Sequence, residues 1–314
     1  MSDNTALGPG REFDVIRELV RRWGSAAHGI GDDAAVLDVP PGTRLVASTD
    51  ATVEGVHFRT GWLTPTEIGF RAATAALSDL AAMAASPIAM LVAMTVPEQW
   101  RSVVGQLGDG IGEAARAFGA PITGGNLTGG GELAITVTVL GSAAQVVRRA
   151  GARPGDRLYV TGALGGPGAA LDAWERGDTP RPEHRARFAR PAARIREAAW
   201  LAARGAHAAI DVSDGLFADA RHLAVASGVA ACLELDAVPR VAHVSARDAV
   251  RSGEEYELLV AAPTLDEHAF AHEFELPLTR VGSVLEAGPG TPSVLVRAGG
   301  TFVDLPAGHD HFSG

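Results

Sequence analysis

Apolar and charged residues alternate at helical spacing over residues 12–23, with Phe13, Ile16, Leu19 and Val20 on one side. The pattern predicts a short amphipathic helix behind a loose, glycine-containing tail. Residues 44–48 read as a strand, and 66–85 as a long helix ended by Ser86-Pro87. A strand over 88–96, a helix over 103–118 and a glycine-rich turn over 124–131 follow. Residues 133–140 alternate Ile, Val and Leu with Thr, which predicts a strand with one buried face. Turn chemistry around Gly151-Ala-Arg-Pro-Gly-Asp156 places a boundary at 148–156 and divides the chain into domains 1–148 and 149–314. In the second half we expect a strand over 157–161, a helix after Gly162-Ala-Leu-Gly-Gly-Pro-Gly168 and a helix over 192–203. A strand over 206–210, a helix over 216–227 capped by Gly228, and a strand over 256–261 complete the pattern, with 177–182 an ordinary loop. There is no repeat of fixed period. Strands and helices alternate in both halves, which implies α/β or α+β layers.

Composition narrows the function. A chain of 314 residues is long for one core, so two domains are expected. With 46% hydrophobic and 20% charged residues the protein is an ordinary globular one. A net charge of -10 argues against nucleic acid as a partner, which would need a basic stripe. It also means that any phosphate site depends on bound cations to reverse the local field. The chain has no lysine at all, which removes the Walker-type loop and the protein-kinase lysine. Phosphate handling would fall to metal ions, arginines and backbone amides. The single cysteine, Cys232, lies in the apolar run Val229-Ala-Ala-Cys-Leu and reads as a buried structural thiol. The N-terminus lacks the basic start and apolar core of a signal peptide. The most apolar stretch, 81–96, is broken by Ser86-Pro87 and falls short of the roughly 20 residues of a membrane span. A cytoplasmic protein with no membrane partner is expected.

The candidate chemistry is acidic. Asp32 and Asp33 follow Gly-Ile-Gly, Asp50 closes Leu45-Val-Ala-Ser-Thr-Asp, and Asp211 and Asp214 close Ala208-Ala-Ile-Asp-Val-Ser-Asp. Hard oxygen ligands at strand ends suit Mg²⁺. Asp79 lies on one stripe of its helix with Ile68, Ala72, Ala75 and Ala82, so it is expected to be buried. A buried carboxylate needs a metal, an arginine such as Arg71, or hydrogen bonds. Ser213 or Asp214 could serve as N-cap of the helix beginning at Leu216, but one cap accounts for only one of three crowded polar groups. A two-aspartate phosphatase would space its aspartates by two and want a lysine; here the spacing is three and lysine is absent. Ser48-Thr-Asp50 and Gly124-Gly-Asn126, taken alone, also read as plain turns. The 162–168 loop lacks the second strand and acid of a dinucleotide fold, and either cradles a phosphate or permits tight packing. His57, near the acidic cluster, is open between a structural and a substrate role.

The order of these motifs resembles a known family. Gly-Ile-Gly-Asp-Asp-Ala-Ala-Val (29–36), Ser-Thr-Asp (48–50), Gly-Val-His-Phe (55–58) and Leu-Ser-Asp-Leu-Ala-Ala-Met (77–83) resemble the thiamine-monophosphate kinases. So do Gly-Gly-Asn (124–126), Arg-Ala-Gly-Ala-Arg-Pro-Gly-Asp (149–156), Ile-Asp-Val-Ser-Asp-Gly-Leu (210–216) and Gly-Glu-Glu-Tyr-Glu-Leu (253–258). The likeness runs from Glu12 to Asp310-His-Phe312 and places the chain near the aminoimidazole-ribonucleotide-synthetase-like superfamily of ATP enzymes.

The resemblance implies a two-domain fold of that superfamily: an N-terminal ATP- and Mg²⁺-binding sheet pairing across a homodimer, and a C-terminal mixed α/β domain closing the cleft. It implies ATP and thiamine monophosphate as ligands and several Mg²⁺ ions. Carried to matching positions, Asp33, Ser48, Thr49, Asp50, Asp79, Asn126, Asp211 and Asp214 resemble metal ligands. Gly125, Asn126, Arg149 and Ser213 resemble nucleotide contacts, and His57, Glu254 and His309 substrate contacts. No general base is implied. The chain departs from the family pattern at Asn126, usually Asp, at Ser252-Gly-Glu-Glu-Tyr256, usually Gly-Gly-Glu-Asp-Tyr, and at His309, commonly Tyr. Two other readings stand beside the kinase: another ATP-dependent enzyme of the superfamily, or a non-catalytic binder of nucleotide or thiamine phosphate.

Overall fold

The computed structural model describes Asn4 and residues 10–304. His309 and the terminal Asp310-His-Phe312 motif lie outside the described residues. The described residues form two compact units, one of residues up to 80 together with 85–145, and a second of 81–84 together with 146–304.

In the first unit the elements are α1 (Arg11–Trp23), β1 (Arg44–Val53), α2 (Pro65–Ala82), β2 (Ser86–Val96), α3 (Val104–Phe118), β3 (Ile122–Gly129) and β4 (Ala134–Ala143). Four strands form a sheet in the order β1-β4-β2-β3, in which only β2 and β3 run parallel. The alternation expected of β4 holds: Ile135, Val137 and Val139 are fully buried, and the threonines between them are half-exposed. From Ile68 to Ala82 every residue of α2 is buried except Asp79. A helix that is alanine-rich on all sides is one that packs on all sides.

Three expectations need correction. The strand expected over 44–48 runs on to Val53, because β4 pairs with it along its whole length, so Asp50 lies within β1 and does not close it. The helix stops at Ala82, three residues early, because Ala84 turns left-handed (φ 53°); Ser86-Pro87 opens β2 instead of ending the helix. The glycine-rich stretch is not a turn over 124–131, because β3 carries it through Gly129 alongside β2. The glycine allows that approach: a Cβ on Gly125 would stand 1.8 Å from the carbonyl oxygen of Val92.

The second unit contains β5 (Arg157–Thr161), α4 (Gly166–Glu175), α5 (Pro182–Ala189), α6 (Ile195–Ala203), β6 (Ala208–Asp211), α7 (Leu216–Ser227) and β7 (Val229–Glu234). It continues with α8 (Ala246–Arg251), β8 (Leu258–Ala262), α9 (Glu267–Phe274), β9 (Leu278–Glu286), β10 (Val294–Ala298) and β11 (Thr301–Phe302). Seven strands form one mixed sheet, ordered β11-β10-β7-β9-β5-β8-β6. Successive residues of β5 feed opposite cores: Leu158 and Val160 pack with Leu216 and Leu223 of α7, and Tyr159 with Trp200 of α6 and Phe270 of α9. Both faces of this sheet are therefore buried, which is why its strands read as unbroken apolar runs. Cys232, in β7, is buried as expected. Among the described residues, no helix is long and apolar enough to cross a membrane.

Candidate active site

Strand β1 presents its polar residues on two faces. Ser48 and Asp50 are half-buried on the side of α2, where Ser48 Oγ donates to Asp79 Oδ2 at 2.5 Å. Asp50 Oδ1 accepts from the N–H of Ala51 at 2.7 Å. Asp79, the one incompletely buried residue in its stretch of α2, is thus turned toward β1. Thr49 lies between the two polar residues and its side chain points to the other face, with Oγ1 3.0 Å from Thr138 Oγ1.

Asn126 lies on that other face too. It pairs with Ala93, in the row of Thr136 and Ala51, while Gly125 shares the row of Val92, Val137 and Asp50. Three strand spacings of about 4.8 Å separate β1 from β3. Two ligands of one Mg²⁺ ion must lie within about 4 Å of each other. The structure brings Ser48, Asp50 and Asp79 to one face, and the side chains of Thr49 and Asn126 do not join them. His57 follows β1, and its Nδ1 accepts from the N–H of Val53 at 3.1 Å. Asp33 is exposed in the irregular segment ahead of β1.

In the second unit the site forms where β6 runs out. Asp211, its last residue, is buried, and Ser213 and Asp214 are half-buried on the turn into α7. Neither side chain caps the helix; the N-cap is Gly215 and accepts no side-chain bond. The turn is held from inside the helix: Asp219 Oδ2 accepts from the N–H groups of both Ser213 and Asp214, each at 3.1 Å. Sequence reasoning missed Asp219, although an acid five residues beyond a polar turn and within the first helical turns was visible. Asp219 is 1% exposed, and burial pushes its carboxyl well above the usual range. The charges of Asp211 and Asp214 add to that push, against the pull of the two N–H donors. Three carboxylates therefore crowd one turn, an arrangement that a divalent cation relieves. Among the described residues no group of three or more His, Cys, Asp or Glu side chains is placed to hold a metal ion by itself. Mg²⁺ does not need one, since it keeps several waters and takes substrate phosphates as ligands.

A second turn leans on the first. The N–H of Glu254 donates to the carbonyl of Ser213 at 2.7 Å, and the N–H of Tyr256 to that of Val212 at 2.9 Å. Gly253 makes the approach possible, because a Cβ there would sit 2.6 Å from the carbonyl oxygen of Ser213. Glu254 Oε2 accepts from the Tyr256 hydroxyl at 2.6 Å. Arg149 is exposed beside β6: the carbonyl of the preceding Arg148 accepts from the N–H of Ala209 at 3.0 Å. Asp211, Ser213, Asp214 and Glu254 thus gather around the end of one strand, whereas the backbone of Arg149 lies toward the start of β6, its carbonyl accepting from the hydroxyl of Ser227 at the far end of α7 at 3.0 Å. The 162–168 loop does not offer free donors, because Gly165 and Gly168 give their N–H groups to Glu255 and Ser252.

A chain of two such units, with acids on one face of the first sheet and at the end of β6, and a turn clasped by a second turn, falls in a recognised class. Residues 31–143 match the AIR synthase related protein, N-terminal domain, and residues 153–294 the C-terminal domain of the same proteins. The thiamine-monophosphate kinase of Rhodopirellula baltica is 38% identical over 290 residues, which cover 86% of this chain and 87% of that protein. The crystal structure of thiamine-monophosphate kinase from Stenotrophomonas maltophilia K279a matches with a TM-score of 0.80 at 33% identity, covering 96% of this chain and 99% of that one. The structure of AaThiL complexed with AMPPCP and TMP matches with a TM-score of 0.75 at 29% identity, over 99% of this chain and 100% of that one. This chain belongs to the thiamine-monophosphate kinase family.

Proposed function

We propose that this protein transfers the γ-phosphoryl group of ATP to the phosphate of thiamine monophosphate, giving thiamine diphosphate and ADP. The observation that carries the reading is the turn at the end of β6, where Asp211, Asp214 and the buried Asp219 stand together and Asp219 Oδ2 holds the N–H groups of Ser213 and Asp214 at 3.1 Å. Family membership supplies the substrates: the solved structure of AaThiL is complexed with AMPPCP and TMP.

The acceptor needs no general base. A phosphate monoester has a second pKa near 6, as phosphorylated side chains do, so it is largely an anionic nucleophile at pH 7. The obstacle is repulsion between two polyanions, about 1 kcal/mol per close charge pair in water at 4 Å and about 4 at an effective dielectric of 20. Mg²⁺ ions, when bound, offset that repulsion and align the nucleophile with the leaving group. We assign Asp33, Ser48, Asp50 and Asp79 to hold them in the first unit and Asp211 and Asp214 in the second. Thr49 and Asn126 face the other way, so their side chains serve a different contact. Arg149 and the Gly125 and Ser213 segments receive the nucleotide, Arg149 with a guanidinium fork suited to phosphate. His57 and Glu254 receive the acceptor.

The face of the first sheet that carries Thr49, Ala51, Thr136 and Thr138 is half-exposed, and β1 has an unpaired edge. We assign this face to pairing with a second copy, giving a homodimer. We assign the protein to the cytoplasm, where ATP is supplied.

Incubation with ATP, Mg²⁺ and thiamine monophosphate tests the function. Thiamine diphosphate and ADP in equal amounts are expected. ATP use only with another acceptor would favour a different superfamily reaction, and saturable binding without product a non-catalytic binder. Asp219→Ala should leave two N–H groups without an acceptor and cost about 1–3 kcal/mol of stability. It should also weaken the apparent Mg²⁺ affinity by about 10–100-fold, as loss of a group that orients metal ligands does. Thermal unfolding and Mg²⁺ titration of the rate measure the two effects.

A further inference from the structure

The turn over residues 252–257 contains two non-glycine residues in the left-handed region, Glu254 (φ 63°) and Tyr256 (φ 55°). Such conformations persist only where the surroundings over-determine them. They alternate with two acids, Glu255 and Glu257, that are buried. Glu257 is held by Arg194 and Thr161. Glu255 is held differently. Its Oε1 accepts from the N–H of Gly165 and from the hydroxyl of Ser252, both at 2.5 Å, and the Ser252 oxygen in turn accepts from the N–H of Gly168 at 2.9 Å.

Gly165 and Gly168 open α4, so the donors that could receive a phosphate are filled by the protein's own carboxylate and hydroxyl. Glu255 Oε2 is buried with no hydrogen-bond partner, the nearest cation being Arg187 Nη2 at 3.6 Å. Burial raises this carboxyl to about 7, partly offset by Ser252 and Arg187. A fold does not need an acid here for stability alone, since an apolar side chain in a buried site carries no desolvation cost. The side chains of Ser252 and Glu255 bind each other directly, Oγ to Oε1 at 2.5 Å.

We propose that Ser252 and Glu255 form a latch that fastens the 252–257 turn to the start of α4 and so fixes Glu254 in the geometry that receives the phosphoryl acceptor. Both are positioning residues: neither touches the reacting atoms, and the latch acts on the acceptor side and not on the nucleotide. The inference rests on the assignment of Glu254 to the acceptor.

Steady-state kinetics with thiamine monophosphate and ATP varied separately test it, at a temperature where each variant is folded by circular dichroism. Glu255→Ala should raise the acceptor KM at least tenfold with the ATP KM changed less than twofold. Glu255→Gln, whose amide oxygen can accept the same two bonds, should stay within threefold of the parent. If Glu255→Ala does not fold, Ser252→Ala carries the test, with an acceptor KM raised threefold or more. An unchanged acceptor KM, or an equal rise for both substrates, overturns the latch. Absence of thiamine diphosphate from the parent chain would overturn the function instead. The latch would then be read from amide hydrogen exchange at residues 252–257, where faster exchange in Ser252→Ala supports it and unchanged exchange removes it.

Discussion

Asp211→Ala and Asp79→Ala are each expected to lower kcat by about 10³-fold or more, the scale on which charge-stabilising groups act in phosphoryl transfer. Neither variant should lose its fold. Asp211 is buried at the end of β6, yet in the metal-free protein it adds to the repulsion that raises the Asp219 carboxyl. Removing it relieves that like charge, which offsets the loss of its own contacts, so Asp211→Ala should unfold in EDTA close to the parent. In Mg²⁺ the gap should widen, because the parent gains binding energy that the variant cannot. For Asp79 the structure shows one partner, the Ser48 hydroxyl at 2.5 Å, and a half-buried side chain. Its replacement costs a single hydrogen bond, about 1 kcal/mol. A stability change that small beside a rate change that large is the signature of a functional carboxylate. Near-normal turnover in both variants would remove the metal-site assignment.

Glu257→Ala should have the largest effect on stability, about 3–5 kcal/mol, because it leaves a buried charge without its partner. Arg194 grips Glu257 with both ends of its guanidinium, Nε to Oε2 at 2.8 Å and Nη2 to Oε1 at 2.6 Å. Thr161 Oγ1 adds a bond at 2.7 Å and Arg187 Nη2 one at 3.3 Å. The two side chains of the main pair are 15% and 2% exposed. Burial alone would lower the Arg194 pKa, but Glu257, with help from Glu197, leaves it raised. In a unit of this size the loss corresponds to a fall in the unfolding midpoint of about 10 °C. Arg22→Ala is the contrast. Its bridge to Asp109 at 2.8 Å lies at 37% and 38% exposure, where such pairs contribute about 0–1 kcal/mol. Thermal unfolding of both variants against the parent separates the cases. A Glu257→Ala midpoint as little changed as that of Arg22→Ala would mean that the buried network does not carry this stability.

Much of the fold was legible because its signals are local. The helix predicted over 216–227 is α7 to the residue, since Gly228 takes the left-handed conformation (φ 67°) that a helix stop calls for. The strand predicted over 157–161 is β5, and the alternation over 133–140 marks the buried face of β4. Other elements lacked such signals. Gly124 and Gly125 read as a turn, and only the neighbouring strand β2 makes an extended glycine segment the right solution. The alanine-rich 66–85 stretch has no single apolar face, because α2 is buried almost all round, and its end depends on Ala84 and not on the proline.

The site divides along the same line. Residue type and order by themselves determined that an acid ends β6, that no lysine is available for phosphate, and that the 211–214 turn carries more polar groups than a cap requires. Tertiary structure decided which of them share a face. Strand alternation turns Thr49 and Asn126 away from Ser48, Asp50 and Asp79, and Asp219 becomes the brace of a turn it does not border. It also closed the 162–168 loop to phosphate, through Glu255 and Ser252, 90 and 84 residues from the glycines they bind. Spacing along a chain reports neighbours within a few residues, whereas a hydrogen bond or a Coulomb interaction depends on distance in space, and over such separations only the packed fold sets that distance.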